Sequence, residues 1–368
     1  MMPQFSELDF QMMSRAILLA KKGIYTTAPN PNVGCVIARN GDIVGEGYHH
    51  RAGEPHAEVH AMRAAGEQSV GATAYVTLEP CSHYGRTPPC AEGLIKAKVS
   101  RVVCAMQDPN PKVAGRGIDM LRAAGIQVDV GLLEADANAL NPAFIKRMKT
   151  GLPYVQLKMA ASLDGQTALS NGVSQWITSP QSRQNVQEYR ARSCAILSTS
   201  KTVIDDNASL NVRWNDLPSS IQSTYRQSDV RQPVRVILDR NKDLSPNLKI
   251  FESPGNIIRV GEGGDITPKL NQHRIDLATT FQELARTHNI NHLWVEAGAT
   301  LARSLIQEEL VDELVLYLAP KLMGSDGRGL FGALGLETMS ETHDLTIQDL
   351  RQVGPDIRIV ATLTKKDR

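Results

Sequence analysis

His56-Ala57-Glu58, followed by Pro80-Cys81 and then by Cys90, is the part of this 368-residue chain that most constrains its fold. It gathers one imidazole, two thiols and a carboxylate. Three protein ligands, His56, Cys81 and Cys90, would leave the fourth tetrahedral position of a zinc ion open for water, as catalytic sites do and closed structural sites do not. Zinc lowers the pKa of such a water towards neutrality, and a nearby carboxylate that is not a ligand, here Glu58, can carry its proton. The general signature of zinc nucleobase deaminases is H-x-E…P-C-x-x-C. Here eight residues, 82–89, separate the cysteines, which marks an inserted loop.

The flanking residues place these groups on regular elements. Residues 57–65 (AEVHAMRAA) read as a helix with His56 at its N-terminus. Residues 72–78 read as a strand running into Glu79-Pro80-Cys81, and Cys90 opens the helical run 91–97. Two helix N-termini then converge on the metal, where their dipoles favour thiolate and hydroxide. Working outward, residues 33–38 and 43–48 form a hairpin about Asn40-Gly41-Asp42. Strands over 101–106 and 126–130 and helices over 117–124 and 134–149 complete an alternating pattern. That pattern predicts a mixed sheet covered by helices, with ligands at strand ends.

The chain opens with Ser6-Glu7-Leu8-Asp9, a capping box, and Phe10, Met13, Ile17 and Ala20 follow at helical spacing. This is not the pattern of a signal peptide. No run of about eighteen apolar residues occurs, so no membrane span is expected, and the cytoplasm is the expected compartment. Forty basic and thirty-nine acidic residues leave a net charge of +1, which offers no global field for nucleic acid or membrane. Five cysteines in a chain of this length do not make a disulfide framework. Pro153 is expected to end the helix that begins at Glu134, with a domain boundary there: a zinc-dependent deaminase domain over 1–150 and a second domain over 151–368.

The second half also alternates. Strands are expected over 154–161, 194–197, 234–238, 257–260, 293–295 and 313–318, and a helix over 180–192 that Ser179 caps with Pro180 at its first position. Residues 216–232 read as an exposed polar loop. The turn at Gly298 between a strand and a helix could hold a phosphate on bare amides, or be an ordinary βα turn. No G-x-G-x-x-G follows a strand, so a Rossmann fingerprint is absent. The residues alone lead to an α/β domain with an anion site as one option.

Seven stretches carry a resemblance. They are Asn30-Pro31-Asn32-Val33-Gly34, His56-Ala57-Glu58-Val59-His60, the run from Thr77 to Cys90 (TLEPCSHYGRTPPC) and Asp108-Pro109-Asn110-Pro111, then Ala161-Ser162-Leu163-Asp164-Gly165, Ser174-Gln175-Trp176-Ile177-Thr178 and Ala319-Pro320-Lys321-Leu322. In this order they closely resemble the bifunctional deaminase–reductase family of riboflavin biosynthesis, over essentially the whole chain, and the widened cysteine spacing is itself a mark of that family. The resemblance implies an α/β protein with a cytidine-deaminase-like mixed sheet and helices, followed by a dihydrofolate-reductase-like α/β domain. The implied cofactors are Zn2+ and NADPH. The implied substrate is a small phosphorylated pyrimidine, 2,5-diamino-6-(5-phosphoribosylamino)pyrimidin-4-one, which is deaminated and then reduced at its ribosyl group. A homo-oligomer is expected on the same ground.

The resemblance also implies residue roles. Glu58 is the catalytic proton carrier; Asn30 contacts the pyrimidine, and His49, His83 and Arg86 lie near the polar groups, Arg86 suiting the phosphate. Asp108 and Asn110 are further candidates at that mouth, although Asn110 between two prolines can simply build a turn. Ala160, Trp176, Thr202, Asp206 and the run Gly298, Ala299, Thr300, Leu301, Ala302, Arg303 and Ser304 line the NADPH site. Ser174, Arg190, Leu210, Arg213 and Glu296 match substrate contacts, with the two arginines about its phosphate. Lys158 and Asp164 could orient or protonate the sugar, and the proton donor is left unassigned. Arg240, following the strand 234–238, departs from the family pattern and is read as a partner for the 2′-phosphate of NADPH. Competing readings are a zinc deaminase of another base, a non-catalytic second domain and a purely structural zinc module.

Overall fold

A computed structural model describes residues 5–84, 88–111 and 114–364. The chain divides into two compact units, Met1–Gly151 and Leu152–Arg368.

The first unit begins with α1 (Glu7–Ala20), whose capping box is formed by Ser6 and Asp9. The hairpin follows as β1 (Gly34–Arg39) and β2 (Asp42–Tyr48). Arg39 pairs with Asp42, so the loop is the two residues Asn40 and Gly41, at φ 53° and 94°, the left-handed pair a tight twisted hairpin requires. Next come α2 (Ala57–Ala65), β3 (Thr73–Val76), α3 (Cys90–Lys96), β4 (Arg101–Cys104), α4 (Arg116–Ala123), β5 (Gln127–Val130), α5 (Glu134–Leu140) and α6 (Pro142–Thr150). The sheet order is β2-β1-β3-β4-β5, antiparallel about β1 and parallel from β3 to β5. The mixed sheet expected from the alternation is therefore present.

Strand alternation sends neighbouring side chains to opposite faces, and both faces are covered. Cys35 and Ile37 pack with Ala57, Ala61 and Ala65 of α2, Leu94 of α3 and Leu121 of α4. Val36 and Ala38 pack with Met13, Ala16 and Ile17 of α1 and Ala137 of α5. The apolar face of α1 is thus centred on Met12, Met13, Ala16 and Leu19, and Phe10, expected inside, is 45% exposed. Asp9 is the buried polar member of that face. Burial would raise its carboxyl pKa, but hydrogen bonds from Arg101 (2.7 Å), Ser6 and Tyr75 (2.8 Å) outweigh this and bring it to about 2. The helix expected over 134–149 is broken in two. Pro142 has no N–H to continue the first segment and starts the second. The end of α6 is also set differently: Gly151, at φ 73°, closes it by donating to Arg147 O at 2.8 Å, ahead of Pro153.

The second unit runs β6 (Tyr154–Ser162), β7 (Gln166–Ala168), α7 (Pro180–Arg192), β8 (Ala195–Thr199), α8 (Ser200–Asp206), α9 (Ser219–Gln222), β9 (Val234–Leu238), α10 (Lys249–Glu252), β10 (Ile257–Val260), β11 (Leu270–Asn271), β12 (Arg274–Ile275), α11 (Leu277–Thr287), β13 (His292–Glu296), α12 (Ala299–Gln307), β14 (Glu313–Ala319), β15 (Arg328–Gly329), β16 (Leu345–Val353) and β17 (Asp356–Leu363). Its main sheet has the order β10-β9-β8-β13-β6-β14-β17-β16, parallel up to β14 and antiparallel in the last two strands. Val186, Ile196, Val203, Ile237, Trp294 and Tyr317 form its core on one side. Residues 216–232 are not simply a polar loop: Ile221 and Tyr225 are buried, and Tyr225 O accepts from the Trp214 indole at 2.8 Å.

Candidate active sites

In the first unit α2 is drawn tightly against β2 because Gly45 and Gly47 leave room. A Cβ on Gly45 would stand 2.3 Å from Ala61 O, and one on Gly47 would stand 2.6 Å from Ala57 O. That approach sets His56, the N-cap of α2, beside the end of β3, where the chain turns into Cys81, and beside Cys90, the first residue of α3. His56 Nδ1 lies 3.6 Å from Cys81 Sγ and 3.4 Å from Cys90 Sγ, and all three ligand atoms fall within 4.8 Å of one another. Ordinary Zn–N and Zn–S lengths with tetrahedral angles require N···S edges of about 3.5 Å. The donor set and both N···S spacings fit zinc.

The electrostatics agree. The hydrogen bond from Cys90 holds Cys81 at about 4, far below an ordinary thiol, and the same bond raises Cys90. The Cys90 amide donates to Cys81 Sγ at 3.3 Å, as expected where thiolate forms at a helix start. Glu58, 3% exposed in the first turn of α2, is within hydrogen-bond reach of Cys90. Burial pushes its carboxyl up to about 7.

Beside this cluster His49 is buried, and burial lowers its pKa. Its Nδ1 donates to Pro55 O at 3.2 Å, so Nε2 accepts from Asn30 Nδ2 at 3.1 Å. The rings of His49 and His56 meet edge to face, 5.4 Å apart. Asn30 and His49 are thus coupled to each other and to the backbone just before the ligand. His83 is exposed and close enough for its charge to act on Asp108, whose pKa burial raises. Arg86 lies outside the described residues. Asn110 donates its amide to Asp108 Oδ1 at 2.8 Å, which is the turn-building role. Sequence reasoning left Glu79 without a task, yet it is buried and accepts backbone amides from Asp108, Gly115 and Gly117.

The second unit holds a cleft of about 1510 Å³ along the strand ends, lined among others by Ala160, Ser174, Trp176, Thr202, Asp206, Leu210, Arg240, Gly298 and Ser304. That volume exceeds an ordinary small-ligand pocket and can accept a dinucleotide beside a sugar phosphate. Gly298 caps α12 without a side-chain hydrogen bond, no acidic residue occupies the first turn, and open space lies where its Cβ would be. The first amides of α12 are thus accessible to a phosphate oxygen, and the site fits NADPH. Ala299, Thr300 and Leu301 also border the cleft. Ala302 and Arg303 do not: about 100° of rotation per residue turns Ala302 into the core, where it is fully buried.

Comparison with known proteins matches residues 6–106 to the family described as the cytidine and deoxycytidylate deaminase zinc-binding region, and residues 153–359 to the RibD C-terminal domain. The riboflavin biosynthesis protein RibD of Escherichia coli (strain K12) is 52% identical over 359 residues, 95% of this chain and 98% of that protein. The RibD of Haemophilus influenzae is 50% identical over 373 residues, 98% of this chain and 99% of that protein.

The chain belongs to the RibD family.

Among solved structures, Acinetobacter baumannii RibD (form 1) superposes with a TM-score of 0.88 at 46% identity, covering 98% of this chain and 99% of its own. A Thermotoga maritima protein described as a diaminohydroxyphosphoribosylaminopyrimidine deaminase/5-amino-6-(5-phosphoribosylamino)uracil reductase superposes at 0.82 with 32% identity, covering 97% of this chain and 99% of its own. As a RibD protein the chain combines a cytidine-deaminase fold with a dihydrofolate-reductase-like one. It is a bifunctional deaminase and reductase of riboflavin biosynthesis, with Zn2+ and NADPH as cofactors.

Within this RibD cleft the expected substrate contacts are arranged differently from a pair of free arginines. Arg190 Nε and Nη2 donate to Glu296 at 2.6 and 2.9 Å, and Nη1 donates to Asn211 O at 3.0 Å. Arg213 pairs with Asp216. Both guanidiniums are committed to carboxylates because Glu296 ends β13 beside the last turn of α7, and Asp216 follows Arg213 by three residues. Burial would raise the Glu296 pKa, but Arg190 outweighs it and holds the carboxyl at about 2. Leu210 borders the cleft while its side chain packs in the core. Lys158 pairs in register with Glu296, and burial lowers its pKa. Asp164 is not a lining residue of the cleft; its carboxylate accepts from the amides of Met323 and Gly324 at 3.0 and 2.8 Å and so anchors a loop. Among the described residues no helix is long and apolar enough to cross a membrane.

Proposed function

We propose that residues 1–150 deaminate 2,5-diamino-6-(5-phosphoribosylamino)pyrimidin-4-one and that residues 151–368 then reduce its ribosyl group to ribityl, giving 5-amino-6-(5-phosphoribitylamino)uracil. The observation that carries the first step is the cluster of His56, Cys81 and Cys90 with the buried carboxyl of Glu58 beside it. Zinc held by His56, Cys81 and Cys90 supplies a Lewis acid that makes water a usable nucleophile near neutral pH. Glu58 protonates the ring nitrogen and then the amine that leaves as ammonia. Asn30, its amide turned by His49, holds the pyrimidine, while His83 and Arg86 meet the polar end of the substrate.

For the second step NADPH supplies the hydride. Ala160, Trp176, Thr202, Asp206 and the turn from Gly298 to Leu301 hold the dinucleotide. Ser174, Arg190, Leu210, Arg213 and Glu296 hold the sugar phosphate against it, with Lys158 at the end of β6. Arg240 recognises the 2′-phosphate. It lines the cleft, and its Nε bonds to Asn241 at 3.1 Å while Nη1 bonds to His273 O. Arg240→Ala should cut the NADPH-over-NADH preference by about tenfold, the worth of one charge-assisted hydrogen bond. An unchanged ratio of kcat/KM for the two dinucleotides refutes the assignment.

Purified protein given the diaminopyrimidine ribosyl phosphate is expected to release ammonia and oxidise NADPH in step. Ammonia without NADPH loss would leave a deaminase with a silent second half, and neither signal would point to another base.

The working form is read as a homo-oligomer. Leu345, Ile347 and Leu350 are 47%, 58% and 62% exposed on β16, the nine-residue edge strand of the main sheet, and a second copy packed against their face would cover them. Ile347→Lys should lower the mass seen by sedimentation equilibrium to that of one chain; a parent protein already of that mass defeats the reading. The cytoplasm is the proposed compartment, since paired metal thiolates favour a reducing milieu. Cell fractionation tests this.

A further inference from the structure

Glu79 stands two residues before Cys81 and has no part in the chemistry described so far. It is 5% exposed, where a carboxylate is costly unless its oxygens are satisfied. Backbone amides supply this. Oε2 accepts from Asp108 and Gly115, each at 3.0 Å, and Oε1 accepts from Gly117 at 2.9 Å and Ile118 at 3.4 Å. These donors belong to the start of α4 and to the segment before it, which carries Asp108.

The backbone around Glu79 is held as firmly. Its own N–H donates to Met106 O, just beyond β4, at 3.0 Å. Pro80 O packs so closely on Gly117 that a Cβ there would stand 2.0 Å away. One residue further, Cys81 O accepts from the Ala91 amide of α3 at 3.2 Å. The peptide leading to Cys81 is therefore clamped between the end of β4 and the start of α4, and the Glu79 carboxylate is the centre of the clamp.

We propose that Glu79 is a positioning residue of the deaminase site, fixing the strand end that presents Cys81 to the metal and drawing the Asp108 segment in as one wall of the mouth. This rests on the reading that His56, Cys81 and Cys90 hold zinc. Glu79 touches neither metal nor substrate, and acts through Cys81.

The test uses the full-length metal-loaded protein. Glu79→Gln keeps the size but replaces one acceptor oxygen with an amide group that faces N–H donors. Zinc affinity, measured by competition with a chelator, is expected to fall roughly 10- to 100-fold, the usual consequence of losing a group that orients a metal ligand. The thiolate-to-cobalt absorption of the cobalt-substituted protein should shift, and ammonia release should fall in kcat more than in KM. NADPH oxidation on the deaminated substrate should be unchanged. Glu79→Asp keeps the charge but cannot reach all four amides, and should fall between the two; it carries the test if the glutamine variant is insoluble. Both variants matching the parent in zinc affinity and cobalt spectrum overturn the proposal. A parent protein that takes up neither metal overturns the metal reading itself, so the two failures are distinct.

Discussion

Glu58→Gln is expected to abolish ammonia release, by on the order of 10³-fold in kcat, while leaving zinc content and NADPH oxidation on the deaminated substrate at parental levels. Glu58 sits in the first turn of α2, two residues past His56, so the helix that places the ligand places the carboxylate with it. At 3% exposure it is sealed from bulk solvent, and it lies within hydrogen-bond reach of Cys90. Glutamine has the same length and still fills the buried space, so the fold and the three ligands are undisturbed. What it cannot do is take a proton from water and return it to a ring nitrogen. Because burial penalises a charged carboxylate, the variant should melt no lower than the parent, which separates lost chemistry from lost structure. Ammonia release within tenfold of the parent would mean that another group carries the proton.

How far the sequence reaches depends on what kind of group does the work. Ligand types are few, and His56, Cys81 and Cys90 stand at element boundaries that local patterning reveals, so this site was legible from residues 56–90 alone. The reductase cleft was not. Its lining comes from the segments around residues 160, 174, 190, 210, 240 and 298, brought together by parallel strand order; the residues alone offered the Gly298 turn as an anion site, Arg240 was read as a departure from the family, and resemblance pointed to the rest. Resemblance then placed Ala302 at the ligand although its side chain lies in the core, because a contiguous run of helical residues cannot all face one way. Glu79 was silent for a different reason: its partners are backbone amides, which no residue pattern announces. The apolar spacing of α1 fitted two overlapping stripes, and only packing against β1 decides for Met12 and Ala16 over Phe10. The final strands β16 and β17 went unread, since an edge strand that exposes Ile347 and Leu350 lacks a clean inside–outside alternation.

Arg190→Ala is expected to cost the second unit about 3–5 kcal/mol and to remove NADPH oxidation, while ammonia release continues. The pair it breaks is bidentate, at 2.6 and 2.9 Å, with side chains 11% and 13% exposed. Removing the guanidinium leaves Glu296, largely buried at the cleft wall, without its charge partner, and Trp294 Nε1, which donates to Glu296 at 2.8 Å, is a neutral donor that cannot replace the lost charge. The pKa of Glu296 gives the same scale. Held at about 2 against an ordinary 4.5, it corresponds to roughly 3 kcal/mol of folding free energy. A carboxyl depressed on folding contributes fully above its unfolded pKa and loses that contribution as pH falls towards the folded value. In the parent, therefore, the melting temperature of this unit should fall between pH 4.5 and 2, and Arg190→Ala should flatten that dependence. Stability and catalysis can then be separated. Replacing both partners at once, Arg190→Met with Glu296→Leu, removes the stranded charge and should recover most of the melting temperature. It should recover none of the reductase activity if the pair holds the sugar phosphate. A double variant that regains both would make the pair structural; one that regains stability alone assigns it to the substrate.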